Sequence, residues 1–197
     1  MQLYIVAGLG NPGPTYERTR HNAGFMVVDR VAEKTGLSFV ISRGGVPLAL
    51  AKGNMAGNTV FLVKPLTFMN RSGHAVSHIA SYYKVPRENI IAVHDDLDLA
   101  MGRIKFTRGG GHGGHNGVRS LVEQLGGTDF PRLRIGIGRP VGPQSVESYV
   151  LSPFDQRDTP VMERILDLAA DGILCFIEKG LSAAMNEYNG IHEETGV

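Results

Sequence analysis

Leu3-Tyr4-Ile5-Val6-Ala7-Gly8-Leu9, running straight into Gly10-Asn11-Pro12-Gly13, is the stretch on which the fold turns. Seven uncharged, mostly apolar residues closed by turn formers have the pattern of a strand buried on both faces. Such a strand needs a helix layer above and below it, and the sequence supplies candidates. Residues 22–35 read as a helix stopped by Gly36. Short strand patterns follow near 38–42, 47–54 and 58–64. Residues 70–84 suit a helix, with Gly73 as a weak point. Residues 90–95 form another buried strand pattern and 103–107 a shorter one. Residues 117–125 read as a helix ended by Gly126-Gly127, and 132–138 as a strand. Pro160 fits the first turn of a long helix reaching about Lys179, and 181–187 continue as a helical piece. Strands alternating with helices predict an α/β layered fold on a mostly parallel sheet, forming one domain over residues 1–188. The polar tail, 189–197, is expected to fray.

In such a sheet ligands bind beyond the carboxyl ends of the strands. Polar loops follow four of the strands: Gly10-Asn11-Pro12-Gly13, Pro65-Leu66-Thr67-Phe68-Met69-Asn70, His94-Asp95-Asp96, and the run Gly109-Gly110-Gly111-His112-Gly113-Gly114-His115-Asn116-Gly117. If their strands are parallel, all four converge on one edge. The glycine run loses much backbone entropy on folding. It therefore marks a place where backbone must pass close to a ligand or line a concavity.

Bulk composition narrows the function classes. The 197 residues carry 20 Lys and Arg against 19 Asp and Glu, a net charge of +1. That argues against coating nucleic acid by overall charge but allows a local basic patch. No apolar run approaches the roughly 18 residues of a membrane span, so no membrane association is expected. The N-terminus lacks a basic region and a cleavage pattern, and no signal peptide is expected. Cys175 is the single cysteine; it excludes an internal disulfide, fits a reducing compartment, and reads as a small buried hydrophobe.

Three patterns invite cofactor readings. Gly8-Leu9-Gly10-Asn11-Pro12-Gly13 matches a dinucleotide fingerprint, but Pro12 and Pro14 remove backbone donors and no helix opens before about Asn22. A tight turn aiming Asn11 into a cleft is the stronger reading. Asp95, Asp96 and Asp98 lack the spacing of a calcium loop, and neighbouring residues at a strand end point to opposite sides. His112 and His115 have no cysteine nearby and no HExxH pattern, so a zinc site is disfavoured. No GxxxxGK[ST] loop is present. No metal and no cofactor are expected.

The constellation that remains is His21 with Asp95. Asp95 ends a buried strand and can accept one ring N–H of His21, fixing the tautomer of a general base. Asn11, Asn70 and Asn116 each sit in one of the converging loops, and neutral amides hold carbonyl groups without competing for protons. There is no GxSxG elbow, and Cys175 lies elsewhere. A His–Asp pair with amide donors and no nucleophile points to attack by an activated water. Arg103 and Lys105, and likewise Arg132 and Arg134, alternate on strands and so share a face. They are either solvated strand charges or phosphate contacts. An RNA-binding module without chemistry would keep those basic strands but would not need the His21–Asp95 pair. A nucleotide-binding oxidoreductase would bind NAD.

Taken in series, Gly8 to Gly13, Thr19-Arg20-His21-Asn22-Ala23-Gly24, Pro65 to Asn70, His94-Asp95-Asp96-Leu97-Asp98, Gly109 to Gly117 and Arg132-Leu133-Arg134-Ile135-Gly136-Ile137-Gly138 resemble the motifs of bacterial peptidyl-tRNA hydrolases. The resemblance covers nearly the whole chain and is less diagnostic around 39–58 and in the C-terminal third. It implies a single three-layer α/β domain whose mixed, twisted sheet is flanked by helices. It further implies a monomeric, cytoplasmic, metal-independent esterase that cleaves the bond between a peptide and the 3′-terminal ribose of tRNA. By the same resemblance His21 is the base and Asp95 its orienting partner, while Asn11, Asn70 and Asn116 place substrate and water. Tyr16 and Met69 line the peptide side, and Lys105 and Arg134 bind phosphates of the acceptor stem. His112 and His115 are left with structural or substrate-contact roles.

Overall fold

The computed structural model describes residues 1–42 and 44–193. Seven strands form one sheet: β1 Leu3–Gly8, β2 Val40–Ser42, β3 Leu48–Met55, β4 Asn58–Pro65, β5 Ile90–Asp96, β6 Ile104–Arg108 and β7 Pro131–Gly136. Their order is β2-β3-β4-β1-β5-β7-β6, with β1 at the centre. β1 pairs in parallel with β4 and β5, and β5 with β7. β3 and β6 run against their neighbours.

The helices are α1 Ala23–Thr35, α2 Ser72–Tyr83, α3 Asn116–Leu125, α4 Val146–Val150, α5 Thr159–Lys179 and α6 Leu181–Tyr188. Alternation along β1 divides the core into two layers. Tyr4 and Val6 pack with α1, α5 and α6, through Val27, Ile165 and Ala184 among others. Ile5 and Ala7 pack with α2 and α3, through Val76 and Leu121. The terminators behave as composition dictates: Gly36 closes α1 in the left-handed region at φ 68°, and Pro160 lies in the first turn of α5. Gly73, the expected weak point of α2, is a packing device instead. A Cβ there would collide with the carbonyl oxygen of Ser120, so the glycine lets α2 and α3 close on each other.

Two expectations need correction. The sheet is mixed, as the resemblance implies, rather than mostly parallel as the alternation of strands and helices implies, because β2–β3, β3–β4 and β6–β7 pair antiparallel. The glycine run therefore leaves from the far edge, where Arg108 lies opposite Pro131, and crosses back to reach α3. The start of the tail is also bound rather than frayed. The Asn189 side chain accepts the Phe106 N–H at 2.6 Å and donates to the Phe106 carbonyl at 3.0 Å. His192 bridges to Arg103, and the Glu193 N–H donates to the Gly102 carbonyl. β6 is an edge strand, and these groups satisfy part of its open ladder. The remaining tail expectation, for 194–197, lies outside the described residues. Among the described residues no helix is long and apolar enough to cross a membrane.

Candidate active site

The polar face of β6 and β7 is the key to where the cleft lies. Ile104, Phe106, Leu133 and Ile135 turn inward to the layer under α5 and α6. Lys105, Thr107, Arg132 and Arg134 therefore turn to the opposite face, where Lys105 stands directly across from Arg134 and Thr107 across from Arg132. A cleft of about 1040 Å³ opens beside this face and extends to the ends of β1 and β5. Asn11, His21, Asp95, Asn116, Arg132 and Arg134 are among its walls.

Asp95 is its buried centre, 3 % exposed. His21, in the 3-10 turn that leads into α1, approaches with Nδ1 2.9 Å from Asp95 Oδ1 and 3.1 Å from Oδ2. His115 brings Nε2 to 2.9 Å from the same Oδ1. The ring of His115 also caps α3: its Nδ1 accepts the N–H groups of Gly117 and Val118 at 3.1 and 3.3 Å. These partners assign the His115 proton to Nε2, where it is donated to Asp95. Burial raises the Asp95 pKa, but the imidazoles of His115 and His21 act the other way, by charge and by N–H donation. The second effect wins and holds the carboxyl well below the usual carboxylate range. His94 stacks edge-on against His115 and donates its Nδ1–H to the Asp95 carbonyl at 2.7 Å. Burial and then the nearby His115 push its pKa down to about 3, so it is neutral near pH 7.

Each loop delivers its side chain by a local device. Asn11 Oδ1 accepts the Met69 N–H at 2.9 Å, which ties the loop after β1 to the loop after β4. Asn22 locks the Asn11 backbone from both sides, its Oδ1 accepting the N–H at 2.8 Å and its Nδ2 donating to the carbonyl at 3.0 Å. The Asn11 amide nitrogen is left to donate into the cleft. Gly8 and Gly10 serve close packing on α1 rather than a cofactor: a Cβ on Gly10 would sit 2.7 Å from the Phe25 ring. Asn70 and Asn116 are exposed at the rim, while Met69 is buried beneath them. Tyr16 does not line the cleft; it lies in the turn between Gly13 and Thr19, where its carbonyl accepts the Thr19 N–H and hydroxyl. Lys105 also lies outside the cleft wall, exposed on β6 beside Arg134.

The three acidic side chains at and just after the end of β5, Asp95, Asp96 and Asp98, diverge. Asp96 Oδ2 accepts from Arg134 Nε at 2.6 Å, and Asp98 accepts from Arg139. A metal reading must instead use His21, Asp95 and His115, whose donor atoms lie within 4.8 Å of one another. The bonding of His115 disfavours it. With Nδ1 committed to the helix cap, a metal on Nε2 would need an imidazolate or a broken cap. No serine or cysteine is among the described residues of the cleft wall.

Sequence reasoning missed two supports. Asn22 sits in a motif quoted for His21, but nothing in its type announces that it braces Asn11. Arg20, 2 % exposed, donates to Ser152 Oγ, the Pro153 carbonyl and Asp155, and its guanidinium lies 4.2 Å from the centre of the Tyr149 ring. It anchors the residue next to His21 against the segment that follows α4.

With this geometry in place, comparison with known proteins is direct. The family model for peptidyl-tRNA hydrolase matches residues 5–195. A peptidyl-tRNA hydrolase of Geotalea daltonii is 45% identical over 189 residues, covering 96% of this chain and 97% of its own. One of Thermus thermophilus is 44% identical over 194 residues, covering 98% and 100%. The crystal structure of the Acinetobacter baumannii peptidyl-tRNA hydrolase superposes with a TM-score of 0.90 at 37% identity, covering 96% of each chain. The molecule is thus a hydrolase built on a mixed α/β sheet. It belongs to the peptidyl-tRNA hydrolase family.

Proposed function

We propose that this cleft hydrolyses the ester between a peptide and the 3′-terminal ribose of tRNA through a water activated by His21. The observation that carries the reading is the His21–Asp95 contact. Asp95 accepts the Nδ1–H, so Nε2 is bare and able to take a proton from water. As the proton arrives, the fixed carboxylate stabilises the imidazolium. Asn11, Asn70 and Asn116 hold the substrate's main-chain carbonyls and the water, and Met69 faces the peptide end; Tyr16, outside the cleft wall, could meet only peptide that extends beyond it. An ester with a ribose leaving group requires neither a covalent intermediate nor a metal. The enzyme works as a cytoplasmic monomer, with residues 1–188 as its catalytic domain.

Any tRNA must be accepted, so recognition falls on phosphates and helix shape rather than base edges. Lys105 and Arg134 serve this purpose in the acceptor stem. Asp96 fixes the Arg134 guanidinium through Nε and leaves its two terminal nitrogens for a phosphate. Lys105→Ala and Arg134→Ala are each expected to weaken tRNA binding and to reduce the slope of log K against log salt by about 1. Titrations at several salt concentrations measure this. Equal losses on a small N-acyl aminoacyl ester would defeat the phosphate role.

Removal of divalent ions separates the metal reading. Dialysis against EDTA is expected to leave turnover of N-acyl-aminoacyl-tRNA unchanged. Loss that zinc restores would move the chemistry onto a metal held by His21, Asp95 and His115. The central test is the His21→Ala variant, taken up below.

A further inference from the structure

Arg132 is a buried cation without a buried anion. Its residue is 4 % exposed, and no carboxylate among the described residues pairs with it. Its guanidinium lies 4.8 Å from the centre of the Phe130 ring, and its Nε has no partner. Buried charges are ordinarily paired. Here both terminal nitrogens are spent on main chain: Nη1 donates to the Gly111 carbonyl at 2.6 Å and Nη2 to the Gly110 carbonyl at 2.8 Å. Burial and the nearby Arg134 both push the Arg132 pKa down. The run therefore presents its carbonyls to a charge that lacks any stronger partner.

At its far end His115 is held by Asp95 and by the α3 cap, but before it the run has little else among the described residues to hold it. Gly109, Gly110, Gly113 and Gly114 adopt φ of 72, 91, 56 and 80°, and the last three would have nothing within 4 Å of an added Cβ. The Gly109 N–H reaches the Phe130 carbonyl, and His112 bonds only to Gly114 and His115. From Gly110 to Gly114 the described hydrogen bonds to the sheet come from Arg132 alone.

We propose that Arg132 is a positioning residue that latches residues 110 and 111 of the glycine run to β7 and so, together with the Asp95 bond and the α3 cap, holds His115 and Asn116 over Asp95. The inference deepens the reaction proposed above and rests on it for its kinetic consequence. Arg132 and Arg134 lie two residues apart on the same strand face, about 7 Å by strand geometry. One rigid strand thus carries both the latch and the phosphate contact, so the spacing from the acceptor stem to the ester is set by β7 rather than by the loop.

Arg132→Gln and Arg132→Lys test this by hydrogen exchange and steady-state kinetics on peptidyl-tRNA. In Arg132→Gln the amides of Gly109, Gly114 and His115, whose N–H groups have acceptors, are expected to exchange at least about tenfold faster while those of β5 and β7 keep their protection. Its kcat is expected to fall about 10- to 100-fold with KM changed less than about threefold, since misplacement by about 1 Å costs that much. Lysine can reach one carbonyl and is expected to restore part of both. Three results would overturn the latch. These are unchanged exchange at Gly109, Gly114 and His115, loss of protection across β5 and β7 with no rescue by lysine, and a rise in KM alone, which would make Arg132 a phosphate contact. Exchange needs no turnover, so a failure of the His21 assignment leaves the latch readable.

Discussion

His21→Ala is expected to lower kcat for release of N-acylated amino acid from tRNA on the order of 10³-fold, within the range that a positioned general base contributes. Binding of the tRNA and the cooperative melt are expected to stay near those of the parent. The argument rests on placement. The His21 side chain is 13 % exposed, and it is a boundary group rather than a core one. Removing it leaves Asp95 bonded to His115 and leaves the basic face of β6 and β7 intact. An RNA-binding module without chemistry would show no hydrolysis in either protein. Undiminished turnover in the variant would remove His21 from the base role; His115 could not replace it without giving up the α3 cap, because its Nδ1 accepts two N–H groups and its Nε2–H is donated to Asp95.

Asp95→Asn is expected to cost about 10³- to 10⁴-fold in kcat, as much as losing the base, although the substitution is nearly isosteric. The two oxygens of Asp95 explain why. Oδ1 accepts from both rings, while Oδ2 faces His21 Nδ1 at 3.1 Å. An amide can keep Oδ1 as a shared acceptor, but its NH₂ group then meets an N–H of His21. The repulsion is relieved if His21 moves its proton to Nε2, and that tautomer cannot accept a proton from water. Nitrogen chemical shifts of the imidazole are expected to report the change of tautomer; an unchanged tautomer with full activity would refute the orienting role. The pH dependence of stability should change as well. The folded Asp95 pKa is depressed, so its contribution is present above the unfolded carboxylate value of about 3.9 and is lost as pH falls through the folded value. The variant should therefore lack that part of the acid-side decline.

The residues that name the chemistry were legible because they are rare types in defined places. A histidine before a helix, a carboxylate at the end of an apolar strand and asparagines in loops after strands carry their meaning in their spacing. The layered fold was legible too, since buried strands such as β1 and β5 are continuous apolar runs. The direction of β6 was not, because a five-residue alternation is the same read either way. The capping role of His115 was hidden because imidazole stands outside the usual Ser, Thr, Asp and Asn caps, and α3 consequently seemed to start at Gly117. α4 has only five residues, too few for a helical period to appear. Arg132 was grouped with Arg134 as a possible phosphate contact, because a partner made of main-chain carbonyls leaves no mark on residue type.

The docked residues 189–193 bear on the protein's behaviour in concentrated solution. By filling hydrogen-bond positions along β6 they close a row that another chain could otherwise extend by strand addition. Cutting the chain after Tyr188 would remove no catalytic group named above. It would instead expose a template for self-association next to the tRNA-binding face, so the price of a shorter enzyme would be colloidal stability rather than rate.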